Sequence, residues 1–146
     1  MVLAFHGRKI PEKIIAERME ACPDAGVSPK ALATFFRQER HRFSQASGLT
    51  LRRIDGFLDK GWPVIVAYQD WAHKPSQTNY AVTWDNGHYA IVAGHEEGRI
   101  WLVDPSSKRK RRSLDATEFI ARWRDITVKG ETIHRWGVAI GPRRGD

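Results

Sequence analysis

The chain of 146 residues is long enough for one domain with a real core, and its 41% hydrophobic content, with six Trp and six Phe, excludes disorder throughout. No apolar run approaches the roughly 18 residues that would span a bilayer, and a single cysteine excludes an internal disulfide, a cysteine-built zinc site and an iron–sulfur cluster. The net charge is +7, but five of the cations form one run, Lys108–Arg112, and 7 less 5 leaves +2, so the basicity is local.

In chain order, Met1–His6 reads as the last two turns of a helix, with Gly7 as the left-handed residue beyond its end. The stretch lacks the charged leader and small-residue cleavage site of a secretory signal, so the chain as written is expected to be cytoplasmic. Pro11 suits a first helical turn, and Ile14, Ile15, Arg18 and Met19 follow at helical spacing. Cys22–Gly26 reads as a loop. Ser28-Pro29 then restarts a helix with Leu32, Phe35 and Phe36 on its buried face, and Thr50 caps a third helix that Gly61 ends. The first sixty residues are thus expected to be helical.

Beyond Gly61 the pattern turns to strands. Trp62–Tyr68 is a continuous β-branched run of the kind buried on both faces. His88–Ala93 and Arg99–Asp104 are two more strands, joined by a short turn at Glu97-Gly98. Residues 70–87 form a long polar connection holding Trp71, Tyr80 and Trp84, and a cleft-lining loop is expected there. Asp115-Ala116-Thr117-Glu118 spells a capping box for a helix through Trp123, and Ile133–Ile140 closes the chain as a strand. Helices first, then an antiparallel sheet with one late helix, make a single α+β domain over 1–146.

The hairpin places two side chains of chemical interest. An even register, from a turn centred near Glu96 or a three-residue loop with Gly98 left-handed, puts His88 and Asp104 on one face, their Cβ atoms roughly 5–8 Å apart. An odd register would separate them. Such a pair is either a cross-strand hydrogen bond or the half of a nucleophile–His–Asp triad in which the carboxylate fixes the imidazole. Pro105 cannot donate to a ladder, so pairing should stop beyond Asp104 and leave its carboxylate at the rim. His6, His41, His73, His95 and His134 show no metal-ligand spacing, and neither metal nor cofactor is expected. The Lys108–Arg112 run has no interleaved aromatics, so it reads as a solvated strand rather than a nucleic-acid site.

Several stretches together resemble the papain-like peptidases that process bacteriocin leaders after a double glycine, in particular their stand-alone bacterial relatives. They are Gly61-Trp62-Pro63-Val64-Ile65-Val66, Gly87-His88-Tyr89-Ala90-Ile91-Val92-Ala93-Gly94 and Ile100-Trp101-Leu102-Val103-Asp104-Pro105. Val2–Gly7, Glu118-Phe119, Arg122-Trp123 and Trp136–Ile140 continue the likeness, which covers nearly the whole chain. The resemblance implies a papain-like fold with a helical first half and an antiparallel second half. It also implies a peptide or protein substrate, His88 as catalytic base and Asp104 as its orienting acid. In that family the nucleophilic cysteine opens the first long helix in a Cys-Gly pair, with an oxyanion-holding glutamine upstream. The match here starts at the tail of that helix, so both would precede Met1 and the domain is expected to be truncated at its N-terminus. Cys22 lies one helix too late, in a loop where no helix dipole lowers its pKa. Two functions follow as expectations: a Cys-His-Asp peptidase whose cysteine lies outside these residues, or a non-catalytic relative that binds peptide or a protein partner.

Overall fold

In a computed structural model, residues 1–23, 26–70, 74–104 and 111–145 are described. Helix α1 (Val2–Phe5) ends as its sequence requires. Gly7 takes φ +78°, its N–H donates to Ala4 O and the Arg8 N–H to Leu3 O, which is the paired closure of a left-handed helix end. Helix α2 (Glu12–Arg18) buries no residue fully; Ile15 and Met19 only pack against the core's margin. The loop after it closes tightly, with Cys22 and Gly26 exchanging backbone hydrogen bonds of 2.9 and 2.7 Å. Helix α3 (Pro29–Gln38) starts where the Ser28 hydroxyl accepts the Ala31 N–H, and it buries Leu32, Phe35 and Phe36.

A strand then interrupts the helical half. β1 (His41–Ala46) follows because Arg40, at φ +62°, turns the chain out of α3, and the stretch pairs along the last strand of the domain. Its apolar signal is only Phe43 and a buried His41 among polar residues, which is why periodicity alone does not reveal it. Helix α4 (Leu51–Asp59) is capped by the Thr50 hydroxyl and ends at Gly61, φ +70°.

The sheet takes β2 (Val64–Gln69), β3 (Gly87–Glu96), β4 (Arg99–Val103) and β5 (Arg111–Asp115) as an antiparallel meander. Lys108, Arg109 and Lys110 lie outside the described residues; Arg111 and Arg112 open β5. Helix α5 (Ala116–Arg122) follows, and its cap differs from a full capping box. Asp115 accepts from the Thr117 N–H, while Glu118 turns along the helix to pair with Arg122 at 3.1 Å. The closing stretch is two strands, not one: β7 (Thr132–His134) pairs with β6 (Arg124–Ile126) in a separate hairpin, and β8 (Gly137–Arg143) enters the main sheet. The break falls at Arg135, whose φ is +47° and whose N–H turns away to Trp123 O. β8 inserts between β1 and β2, giving the order β1-β8-β2-β3-β4-β5.

Because side chains alternate along β2, the sheet has two covered faces. Val64, Val66 and Tyr68 join Ile54 and Phe57 of α4 and Phe119 of α5 on one face. Ile65 and Ala67 join Val2 and Leu3 of α1 and Phe35 of α3 on the other. All six residues of β2 are buried, as the continuous apolar run requires.

Candidate active site

The β3–β4 hairpin reaches its register by an unexpected route. Glu97 and Gly98 both have positive φ, +52° and +71°, so the turn has two residues rather than three. Next to it Glu96 faces Arg99 and His95 faces Ile100, an odd register that would send His88 and Asp104 to opposite faces. A bulge at Ala93 takes up one residue, and beyond it Val92 faces Leu102 and Ile91 faces Val103, an even register. His88 and Asp104 are thereby brought together: His88 Nε2 lies 2.7 Å from Asp104 Oδ2. The Asp104 side chain is 4% exposed and that of His88 16%, so the pair is shielded but not sealed.

Behind the pair stands a polar cluster that the sequence does not announce. Tyr68 lies directly opposite His88 on β2, with ring centroids 6.3 Å apart. Its hydroxyl donates to Asp70 Oδ2 at 2.9 Å, and Asp70 also holds Arg112 at 2.7 Å and Arg122 at 3.3 Å. Burial, and then the Asp70 charge, push the Tyr68 phenol far above its ordinary pKa, so it is a fixed neutral donor. Arg122 also lies over the Tyr80 ring, 4.4 Å from its centroid. These contacts hold the β2 wall against which His88 packs.

On the other face of the same strands a groove of about 1040 Å³ opens. Val27 and α3 form one wall, Gly87-His88-Tyr89 the floor, and the β6–β7 hairpin with Trp136 the opposite wall. His88 stands at its rim. The Tyr89 hydroxyl donates to Val27 O at 2.8 Å, and its ring lies 5.9 Å from that of Trp136. Burial, reinforced by the charge of Asp125, raises the Tyr89 pKa. Asp125 packs directly on Gly87, where an added Cβ would overlap its carboxylate and force it to shift. Burial raises the Asp125 carboxyl above the usual range, partly offset by the Ile126 N–H and the Gln69 amide.

The remaining expected positions do not join this site. Cys22 is exposed in its loop and is not among the groove's lining residues. His6 and His41 bond to backbone carbonyls of Ile140 and Gly141, and His95 pairs with Asp55 at 2.8 Å. His134 packs edge-on against Trp84, and His73, with Trp71, lies outside the described residues. Of the described part of the 70–87 connection, Gly87, already in β3, lines the groove and the rest does not. The connection is tied to the sheet end by Tyr80 to Asp70 O, Thr83 to Gln69, and Arg124 to the carbonyls of Ala81 and Thr83. Among the described residues no group of three or more His, Cys, Asp or Glu is placed to hold a metal ion, and no helix is long and apolar enough to cross a membrane. Asp70 and Asp125 carry no sequence signal of their own. The one available hint for Asp125 is Gly87, a strand glycine marking a close approach.

An α+β domain with helices on both faces of a large antiparallel sheet is the papain-like peptidase fold. The sequence matches the model of the Peptidase_C39 like family over residues 1–130, and the chain belongs to that family. Two solved structures share the fold. The peptidase domain of Streptococcus ComA, a bi-functional ABC transporter involved in a quorum-sensing pathway, superposes with a TM-score of 0.66 at 13% identity, covering 97% of this chain and 85% of that one. A C39-like peptidase from Bacillus anthracis gives 0.65 at 10% identity, covering 97% and 84%. No curated protein matches the sequence.

Proposed function

We propose that the groove binds an extended peptide and that His88 and Asp104 are the base and the orienting acid of a thiol peptidase. The observation that carries this reading is the 2.7 Å contact between Asp104 Oδ2 and the Nε2 of His88, a residue that lines the groove. With Nε2 engaged by the carboxylate, Nδ1 is the nitrogen that takes the proton from a thiol. The thiolate sulfur bonds to the peptide carbonyl carbon, and the imidazolium returns its proton to the departing amine as the C–N bond breaks. Water then hydrolyses the thioester. The resemblance to leader-processing enzymes makes peptides cut after a double glycine the first substrate class to test. Cys22 is the wrong thiol for this chemistry, being exposed in a loop that does not line the groove. In this reading the nucleophile comes from a segment preceding Met1.

The placement of Cys22, the chain's single cysteine, favours a second reading in which the groove binds peptide without cutting it. One experiment separates the two. The 146-residue chain and a version extended through the upstream reading frame are incubated with decapeptides carrying a central Gly-Gly. The peptidase reading expects the short chain to bind without cleaving and the extended chain to cleave. His88→Ala should then lower the rate of the extended chain about 10³-fold. An upstream frame with a stop codon and no Cys-Gly pair leaves the binding reading. Cleavage by the short chain that survives Cys22→Ala and is lost in His88→Ala overturns the assignment of the thiol.

A further inference from the structure

Among the described residues, the carboxylates that are not solvent-exposed are paired, with one exception. Glu39 holds Arg8 and Arg18, Asp70 holds Arg112 and Arg122, Asp104 holds His88, and Asp55 holds His95. Asp125 is half-buried, yet no Lys, Arg or His of the described residues lies within ion-pairing distance of it. Its contacts are neutral: the Ile126 N–H at 2.8 Å and the Gln69 amide at 3.4 Å, both on Oδ1. A carboxylate withdrawn from water with no cation beside it is unfavourable, and proteins keep such groups where a partner is to arrive. Asp125 lines the groove on the wall next to Gly87, one residue from His88. The groove's own cations, Lys30, Arg37 and Lys129, also line it but do not close on this carboxylate.

We infer that Asp125 is the cation subsite of the groove, receiving an ammonium or guanidinium group of the bound peptide. That group is a Lys or Arg side chain close to the bond at His88, or the peptide's own N-terminal ammonium. The Asp125 carboxylate rests on Gly87, and the aromatic rings of Tyr89 and Trp136 give an apolar bed for a lysine or arginine stem whose head reaches it. The inference rests on the proposed peptide groove and supplies its charge preference.

The test is binding by the 146-residue chain, measured by fluorescence anisotropy. The probes are decapeptides with a central Gly-Gly in which lysine or its neutral isostere norleucine occupies each flanking position in turn. Each peptide is made with a free and with an acetylated N-terminus. The expected result is about tenfold tighter binding of one lysine position, or of the free N-terminus, over its neutral counterpart. Asp125→Asn should abolish that preference, while Asp125→Glu retains part of it. The lysine arm and the acetylation arm identify the source of the cation. Because Asn keeps the acceptor for the Ile126 N–H and removes an unpaired charge, the variant's Tm at neutral pH should equal or exceed that of the wild type. A preference that survives Asp125→Asn, equal affinity of the wild type for lysine and norleucine peptides in both terminal forms, or a Tm lowered by several degrees each overturns the subsite. Binding of the peptides without charge preference leaves the groove reading standing. Failure of the wild type to bind any of them removes the groove reading and the subsite with it.

Discussion

The two sides of the β2–β3 pair are built from neighbouring residues and differ in kind. Toward α5, Tyr68 and His88 stand over Phe119 and Trp123, and the charged groups behind them are matched, with Asp70 between two arginines and Asp104 on the imidazole. Toward α3, Gly87 and Tyr89 look into an open groove whose carboxylate, Asp125, has no countercharge among the described residues. A group that must hold one orientation benefits from a packed, satisfied surround, whereas a surface that must take a ligand keeps space and unmet charge. Under the proposed function, adjacent positions in one strand, pointing to opposite faces, divide orientation from recognition.

The comparison is tested most strongly by its packed side. Trp123 is 1% exposed, lies 5.0 Å from Phe119 between ring centroids, and donates its indole N–H to Trp136 O at 2.8 Å. Trp123→Ala should lower the unfolding free energy by about 3–5 kcal/mol, the range for deleting a large buried aromatic. Tyr89→Ala on the groove side removes a half-buried ring and its bond to Val27 O, and less than half of that loss is expected. Urea denaturation of both variants checks the ranking. Equal losses would show that the groove wall is as tightly packed as the α5 side, and the division would fail.

Next in size is Gly87→Ala. The added methyl overlaps the Asp125 carboxylate, and a short side chain on a strand has little room to retreat, so about 1–2 kcal/mol of destabilisation is expected. Asp125→Ala in the same chain removes the colliding atoms, and the double variant should recover most of the loss. A double-mutant cycle with no coupling between positions 87 and 125 would mean that the carboxylate does not rest on the strand.

How much of this was open to sequence reasoning depends on the range of the signal. Caps and stops are local, and Ser28, Thr50 and Gly7 each do what their residue type implies. β2 was legible because burial on both faces leaves an uninterrupted apolar run. β1 was not, since an edge strand with Arg42, Ser44 and Gln45 has little periodicity and owes its form to pairing with β8, a hundred residues away. The single strand expected over Ile133–Ile140 split because one residue, Arg135, adopts a left-handed conformation that its type does not predict. At the site, the spacing of His88 and Asp104 did not suffice: the two-residue turn alone sets an odd register, and only the Ala93 bulge, which the spacing does not reveal, returns the two to one face. Asp70 and Asp125 come to the sheet from a loop and a small hairpin, so only tertiary contacts reveal them.

The smallest expected effect is the pH dependence contributed by the unpaired carboxylate. Burial raises the folded-state pKa of Asp125 above its unfolded value, so its neutral form is favoured in the native protein. A raised acid contributes stability that is fully present below the unfolded pKa and is lost as pH rises through the folded pKa. The wild-type chain should therefore lose stability relative to Asp125→Asn as pH climbs from just below the ordinary carboxylate range toward neutrality, and the two should converge at the acid end. Thermal unfolding of both proteins across that interval reads the difference directly. A bound basic peptide should remove it, because a cation beside Asp125 favours the ionised form and draws its pKa back down. Curves that stay parallel at every pH would mean that Asp125 titrates alike in the folded and unfolded chain, and the contrast between a satisfied and an unsatisfied side of the sheet would lose its electrostatic half.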